Sequence, residues 1–190
     1  MSNYKAIVIG GSAGSFQLVL KILSVLPKDF KFPVFFALHR SKEIRKGFAE
    51  ALSIKSNLNV VEPHDKQIIR PGNAYLAPSN YHMLIELGFT IALSTEEMVK
   101  FSRPAINLTF ETASYVYRDK LLGILLSGAN SDGAEGMKKI KERGGYTIVQ
   151  NPDQAMIKTM PEAAIKATQI DQLMSIDEIC SYLLELNDKN

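Results

Sequence analysis

A serine lies in the glycine-rich turn that follows the first apolar run of the chain. Residues 10–14, GGSAG, fit the pattern G-x-S-x-G, in which glycines allow a sharp turn between a strand and a helix. Such a turn would expose the Ser12 hydroxyl near the first N–H groups of a helix, which suits attack on a carbonyl group. A simpler interpretation is that Ser12 only caps the helix, and the motif alone leaves both open.

A histidine and an aspartate follow two further apolar runs. His39 comes directly after residues 33–38, and Asp132 follows residues 121–126 in the segment SGANSDG. Because the carboxyl ends of parallel strands form one edge of a sheet, Ser12, His39 and Asp132 are expected to meet there as nucleophile, general base and orienting carboxylate. Taken singly, His39 could be a packed or solvated side chain and Asp132 a helix cap.

The same turn raises the alternative of a nucleotide-binding α/β module. The dinucleotide motif G-x-G-x-x-G separates its glycines by one and then two residues, whereas this turn has Gly10, Gly11 and Gly14. The second apolar run ends in Leu38-His39 rather than in an acidic residue for a ribose, and no Gly-Lys-Ser or Gly-Lys-Thr follows a glycine-rich turn. The spacing therefore disfavours this alternative.

The elements that must position these residues alternate between strands and helices. Continuous apolar runs indicate strands that are buried on both faces, and helical spacing of apolar residues follows several of them. Strand candidates are residues 5–10, 33–38, 59–62, 121–126 and 146–150. Turn residues between β-rich stretches predict an antiparallel β-hairpin insert around residues 73–94. We therefore predict an α/β fold, a doubly wound and mostly parallel sheet flanked by helices, in a single domain over residues 1–190.

Composition excludes several classes of protein. A chain of 190 residues with 46% hydrophobic and 22% charged residues is neither collagen-like nor disordered. Its net charge of +2 gives no support for a nucleic-acid partner. It has no apolar run long enough for a membrane span and no signal-peptide pattern, so a cytoplasmic location is expected. A single cysteine excludes an internal disulfide and a zinc site with several cysteine ligands.

Several segments, taken in order, resemble the catalytic domain of the CheB family, the bacterial chemoreceptor protein-glutamate methylesterases. They are residues 7–15 (IVIGGSAGS), 37–41 (ALHRS), 69–85 (IRPGNAYLAPSNYHMLI), 101–110 (FSRPAINLTF), 123–137 (GILLSGANSDGAEGM) and 158–165 (KTMPEAAI). This resemblance covers nearly the whole chain and is far more specific than G-x-S-x-G alone. It assigns the same three roles to Ser12, His39 and Asp132.

The resemblance implies a serine hydrolase that cleaves glutamyl methyl esters on the cytoplasmic helices of chemoreceptors, releases methanol, and can deamidate glutamines there. Its partner would be a methylated chemoreceptor or a similar signalling protein, and it would reach the membrane only through that receptor. No metal or organic cofactor is expected. Backbone N–H groups at Ala13 and Ala129 are the candidates for an oxyanion site, the second by resemblance. Family members commonly begin with a receiver domain, for which we expect no room before the first strand near Lys5.

Two arginines are candidates for the substrate cleft. Arg40 begins a basic cluster with Lys42, Arg45 and Lys46 directly after His39. One hypothesis is a basic rim that steers an acidic substrate, and the alternative is the solvated face of a surface helix. Arg103 belongs to one of the segments that resemble the family.

The glycine-rich turn and the Asp132 loop also depart from the family pattern. Ser15 stands where the family usually has a second glycine, and Ala129 stands where it usually has methionine. These changes motivate a further alternative, a catalytically weakened CheB-like module that binds a signalling partner without turnover.

Overall fold

The computed structural model describes residues 4–40 and 47–188 of the chain. The strands in this part are β1 (Ala6–Gly11), β2 (Val34–Leu38), β3 (Asn59–Val61), β4 (Gln67–Ile68), β5 (Asn73–Leu76), β6 (His82–Ile85), β7 (Thr90–Ser94), β8 (Leu121–Leu125), β9 (Tyr146–Gln150) and β10 (Gln172–Met174). The α-helices are α1 (Phe16–Val25), α2 (Phe48–Ser53), α3 (Ile106–Tyr117), α4 (Ala134–Glu142), α5 (Thr159–Ala167) and α6 (Ile176–Asp188).

The strands form two sheets. A seven-stranded sheet has the order β10-β9-β8-β1-β2-β5-β3, and each neighbouring pair is parallel. A three-stranded sheet has the order β4-β7-β6 and is antiparallel. The strands β8, β1 and β2 lie side by side, so the segments that leave their carboxyl ends emerge at one place.

Both faces of the large sheet are buried because the apolar side chains of its central strands alternate between two cores. Ile7 and Ile9 of β1 lie in a core with residues of α1 and α6. Ala6 and Val8 point to the other face and lie in a core with residues of α3, α4, α5 and the small sheet. Each fully buried isoleucine contributes roughly 1.5–3 kcal/mol to folding. The continuous apolar sequence of β1 is therefore what a strand covered on both sides requires.

The predicted α/β fold, with a mostly parallel sheet flanked by helices and an antiparallel insert, is confirmed. The insert begins later than predicted: the hairpin spans residues 82–94, whereas β5 at residues 73–76 pairs in parallel with β2 and β3. Since β5 is as apolar as the hairpin strands, the sequence does not reveal which sheet it joins. In residues 4–40 and 47–188 no helix combines the length and apolar character of a membrane-spanning segment.

Candidate active site

Strand register places Ser12 and His39 next to each other. Gly11, the last residue of β1, pairs with Leu38, the last residue of β2, and the His39 N–H donates to the Gly11 carbonyl at 3.1 Å. Ser12 and His39 are the next residues of these neighbouring strands. Asp132 lies in the loop after β8, the strand on the other side of β1. The three predicted residues therefore leave three adjacent strands at the same edge.

The structure pairs His39 with Asp132. His39 Nε2 lies 2.7 Å from Oδ2 of Asp132, whose side chain is fully buried, while 13% of the His39 side chain is exposed. With the carboxylate as acceptor, Nε2 carries the proton of a neutral imidazole and Nδ1 keeps its lone pair. Nδ1 is thus the nitrogen that is free to accept a proton from a nucleophile.

Asp132 also holds the amino end of α3. Its Oδ2 accepts the Ile106 N–H at 2.7 Å, and its Oδ1 accepts the N–H groups of Asn107 and Gly133, both at 3.0 Å. The carboxylate lies at the positive end of a 12-residue helix, where a negative charge is stabilised. These bonds fix the carboxylate in the orientation that His39 needs.

Tight packing holds the turn that carries Ser12. The Ser12 N–H donates to the Ser127 carbonyl at 2.9 Å, and the Ser15 hydroxyl donates to the Ser12 carbonyl at 2.6 Å. Gly14 has φ +83°, a left-handed conformation that favours glycine. At Gly128 a side chain would place its Cβ 3.0 Å from Cβ of Ser12. Glycine at position 14 therefore allows the conformation of the turn. Glycine at position 128 allows the neighbouring chain to approach Ser12 closely.

Ser12 and His39 line one cavity of about 390 Å³, together with Ala13, Arg40, Met98, Phe101, Ser102, Arg103 and Pro104. Within the described residues, the hydrogen bonds of the His39 ring go to Asp132 and Ser102 and not to Ser12. A long distance between nucleophile and base is common in enzymes without a bound substrate, because the hydrogen bond forms as the complex assembles. The structure thus places Ser12 in the same cleft as the His39–Asp132 pair. In the described part of the chain, no hydrogen bond joins Ser12 to the His39 ring.

Sequence reasoning missed Ser102. Its hydroxyl lies 3.5 Å from Nδ1 of His39, on the side of the ring that faces the cleft. Ser102 precedes α3 in the segment FSRPAINLTF, and no spacing rule connects it to residues near Ser12. It is brought to the cleft by the chain that leaves the small sheet. Its place in a segment that resembles the family was the only available signal.

The two oxyanion candidates have backbone N–H groups without a hydrogen bond to the described residues. Ala13 lines the cavity beside Ser12. Ala129 follows Gly128, the residue packed against Ser12. Unpaired donors beside a nucleophile suit an oxyanion, which is stabilised by fixed N–H groups.

Arg40 lines the cavity, but its guanidinium is turned into the protein. Only 2% of the side chain is exposed, it forms an ion pair with Glu62, and it donates to the Ala77 carbonyl at 3.2 Å. Phe48 packs against it at 5.1 Å from the ring centre. The Arg40 side chain therefore adds no solvent-exposed charge beside His39. Lys42, Arg45 and Lys46 lie outside the described residues.

Arg103 also lines the cavity, and its guanidinium joins two loops. Nε and Nη2 donate to Oδ1 of Asn80 at 3.1 and 2.8 Å, and Nη1 donates to the carbonyls of Thr95 and Glu96. Each of its three nitrogens is thus used within the protein. This arrangement fits a residue that shapes the wall of the cleft.

A larger cavity, of about 530 Å³, lies at the opposite edge of the sheet. Lys5, Pro33 and Lys120, which line it, precede β1, β2 and β8. Size therefore does not identify the reactive site. The cleft with Ser12 is lined by a hydroxyl and by an imidazole that is paired with a buried carboxylate, and it is the candidate active site on chemical grounds.

Comparisons with known proteins point to one family. Residues 7–183 match the family model for the CheB methylesterase. A protein of Leptospira interrogans is 45% identical over 99% of this chain and 97% of its own length. It carries the provisional name protein-glutamate methylesterase/protein-glutamine glutaminase. A protein-glutamate methylesterase/protein-glutamine glutaminase of Clostridium acetobutylicum is 32% identical over 97% of this chain, which spans about half (53%) of that relative.

A solved structure is similar over almost the same length. The crystal structure of the Thermotoga maritima CheB methylesterase catalytic domain matches with a TM-score of 0.90 and 28% identity. The match covers 96% of this chain and 98% of that one. The arrangement of the two sheets described above is therefore the arrangement of that domain.

Proposed function

This chain belongs to the CheB methylesterase family, and we propose that it hydrolyses glutamyl methyl esters in proteins by means of Ser12, His39 and Asp132. The observation that carries the proposal is the 2.7 Å contact between His39 Nε2 and Asp132 Oδ2 in the cleft that Ser12 lines. An orienting carboxylate, an imidazole and a hydroxyl are the parts that acyl transfer by a serine requires.

In the proposed reaction, Ser12 Oγ attacks the ester carbonyl while Nδ1 of His39 accepts its proton. The resulting imidazolium is stabilised by Asp132 through Nε2, and it then protonates the departing methoxide to release methanol. Water then attacks the acyl-enzyme while Nδ1 of His39 accepts its proton. The imidazolium protonates the departing Ser12 Oγ, and a glutamate is released. The ring nitrogens thus exchange the roles they have in serine proteases, where Nδ1 faces the aspartate.

The N–H groups of Ala13 and Ala129 are the proposed donors to the oxyanion. Both lack a hydrogen bond to the described residues, so an oxyanion would satisfy them as it forms. A single donor of this kind is typically worth about 2.7–4 kcal/mol in the transition state. Backbone donors do not depend on the side chain, so the alanine at position 129 keeps this function.

Glutamine side chains fit the same mechanism. Their amide carbonyl would form the same acyl-enzyme with Ser12, and ammonia would leave in place of methanol. The proposed substrates are therefore modified glutamates, and particular glutamines, on the cytoplasmic helices of a chemoreceptor or similar signalling protein. The enzyme would act in the cytoplasm and reach the membrane through that protein.

The direct test is methanol release from membranes that contain methylated chemoreceptor. The wild type is expected to release methanol and Ser12→Ala is not. Lack of release by the wild type on receptors that a known methylesterase demethylates would reject the proposal.

A second candidate is a module that binds a signalling protein without turnover. It is favoured by one observation, that Nδ1 of His39 has Ser102 rather than Ser12 within hydrogen-bonding distance. Binding to the receptor with no methanol release, and no reaction of Ser12 with a fluorophosphonate, would identify this candidate.

A further inference from the structure

Two apolar side chains line the cleft and remain open to solvent. Phe101 is 98% exposed and Met98 is 41% exposed, although both line the cavity that contains Ser12 and His39. An aromatic side chain in water forgoes the free energy that its burial would provide. Phe101 therefore gains most from contact with a molecule that enters this cleft.

The backbone holds Phe101 outward at a conformational cost. Val99 and Ser102 exchange two backbone hydrogen bonds, of 3.2 and 2.9 Å, around a two-residue turn. Lys100 and Phe101, at its centre, have φ of +48° and +62°. This left-handed region is normally left to glycine or asparagine. Such strain persists where the surrounding structure fixes it, and it is concentrated at binding and catalytic sites.

Hydrogen bonds attach the turn to the segments that carry the His39–Asp132 pair. Lys100 Nζ donates to the carbonyl and the hydroxyl of Ser131, at 3.2 and 3.1 Å, directly before Asp132. Ser102 Oγ lies 3.5 Å from His39 Nδ1. The backbone at Phe101 is thus attached on both sides to the segments that carry the His39–Asp132 pair.

A third exposed apolar residue lies beside the Ser12 turn. Met156 is 81% exposed, and a Cβ at Gly14 would come within 2.8 Å of Cβ of Met156. Met156 therefore packs against the end of the turn that carries Ser12, whereas Phe101 stands near His39. Exposed apolar side chains therefore lie beside both Ser12 and His39.

We infer that Met98, Phe101 and Met156, here called the apolar rim, determine specificity by binding apolar side chains next to the esterified glutamate of the substrate. The inference rests on the proposed function and adds the residues that select among glutamyl esters. The occupant is the substrate itself, because Met98 and Phe101 line the cavity that contains Ser12, and Met156 lies against the turn that carries Ser12.

The test compares two peptides of equal length that carry one glutamyl methyl ester, with leucine or with serine at the flanking positions. The wild type is expected to show a kcat/KM about tenfold or more higher for the leucine peptide, as burial of one apolar side chain allows. In Phe101→Asn this preference should fall below about threefold, because asparagine tolerates the left-handed conformation but offers no apolar surface. Met156→Gln should reduce it as well.

Leu87→Gln is the matched control, since Leu87 is 67% exposed in the β6–β7 turn, away from the cleft. It should keep the wild-type preference. An unchanged preference in Phe101→Asn, or equal rates of the wild type on both peptides, would overturn the inference and leave the esterase intact. If the wild type forms a dimer that Phe101→Asn dissociates, the apolar rim is a contact between two copies of the chain. That result would also overturn the inference. If the wild type cleaves neither peptide nor methylated receptor, the proposed function fails and the inference fails with it.

Discussion

Ser102 Oγ lies 3.5 Å from Nδ1 of His39, the ring nitrogen left available when Nε2 pairs with Asp132. Two serine hydroxyls, those of Ser12 and Ser102, therefore line the cleft near a single acceptor. Ser12 lies in the turn that precedes α1, whereas Ser102 precedes α3, whose first N–H groups already donate to Asp132. We therefore propose that Ser12 is the attacking group and that Ser102 is a neighbour that orients the ring.

Replacement of the two serines should separate these roles. Ser12→Ala is expected to lower kcat at least about 10⁴-fold, because it removes the atom that forms the acyl-enzyme. Ser102→Ala should lower kcat less than about tenfold. The measurements are methanol release and mass spectrometry of the protein after reaction with a fluorophosphonate, which should modify Ser12. Modification of Ser102 instead would reverse the assignment.

Asp132→Asn should affect both catalysis and stability. It is expected to lower kcat by about 10⁴-fold, because the amide no longer selects the His39 tautomer with its lone pair on Nδ1. Both carboxylate oxygens accept N–H groups, from the start of α3 or from Gly133. In the asparagine variant the NH₂ group would face one of these donors, which should lower the free energy of unfolding by about 1–3 kcal/mol. Kinetics and urea unfolding measure the two effects.

The exposed Asp153 provides the control for this change, because Asp153→Asn removes a charge away from the cleft and should alter neither quantity. Near wild-type turnover of Asp132→Asn would remove Asp132 from the mechanism.

Gly128→Ala should displace Ser12 and Met160. The added Cβ would lie 2.5 Å from Cε of Met160 and 3.0 Å from Cβ of Ser12, which is closer than side chains normally approach. We expect a loss of about 1–3 kcal/mol in the free energy of unfolding and at least a tenfold loss in kcat, both typical of overpacking beside a reactive group.

Adding Met160→Ala to this variant distinguishes the two contacts. It removes the closer clash, whereas the contact with Ser12 persists, so kcat should stay low. Gly88→Ala, where the nearest atom would be 3.9 Å away, should change neither stability nor turnover. Full activity of Gly128→Ala would show that Ser12 does not need this close packing.

Asp171 predicts a pH dependence of stability that is independent of the active site. Burial raises the pKa of Asp171, but hydrogen bonds from Lys141 and Thr147 outweigh it, and the pKa is lowered overall. A lowered pKa in the folded state stabilises the protein at neutral pH, and this contribution is lost as the pH falls from the ordinary value of about 4 through the folded value. Asp171→Asn should therefore cost about 1–3 kcal/mol at pH 7 and progressively less below pH 4.

Urea unfolding of the wild type and Asp171→Asn across this pH range measures the difference. A difference that stays constant from pH 7 to pH 3 would contradict the proposed ionic origin. Lys141→Met, which removes the partner on α4, should reproduce part of the same pH dependence.

Much of the site could be predicted because it depends on strand ends. The apolar runs locate β1, β2 and β8, and in a parallel sheet their carboxyl ends lie together whatever the intervening sequence. Ser12, His39 and Asp132 each follow one of these runs directly or within a short loop. The convergence of Ser12, His39 and Asp132 at one edge of the sheet follows from this topology.

Side-chain direction could not be predicted in the same way. Arg40 and Arg103 line the cavity, but the acceptors they use come from distant segments: Glu62, Asn80 and the carbonyls after β7. The position of Ser102 depends on the path of the chain from the small sheet to α3. A weakly apolar sequence likewise concealed β10, which is only three residues long.

One carboxylate, that of Asp132, serves both a helix terminus and an imidazole. Mutations that arise by drift would therefore be tolerated unequally across the cleft. A homologue without hydrolase activity could lose the serine or the histidine with little effect on folding. Loss of the aspartate would still destabilise the folded protein. In a survey of homologous genomes, the aspartate alone would thus be poor evidence of an active enzyme, and positions equivalent to 12 and 39 would be the informative ones.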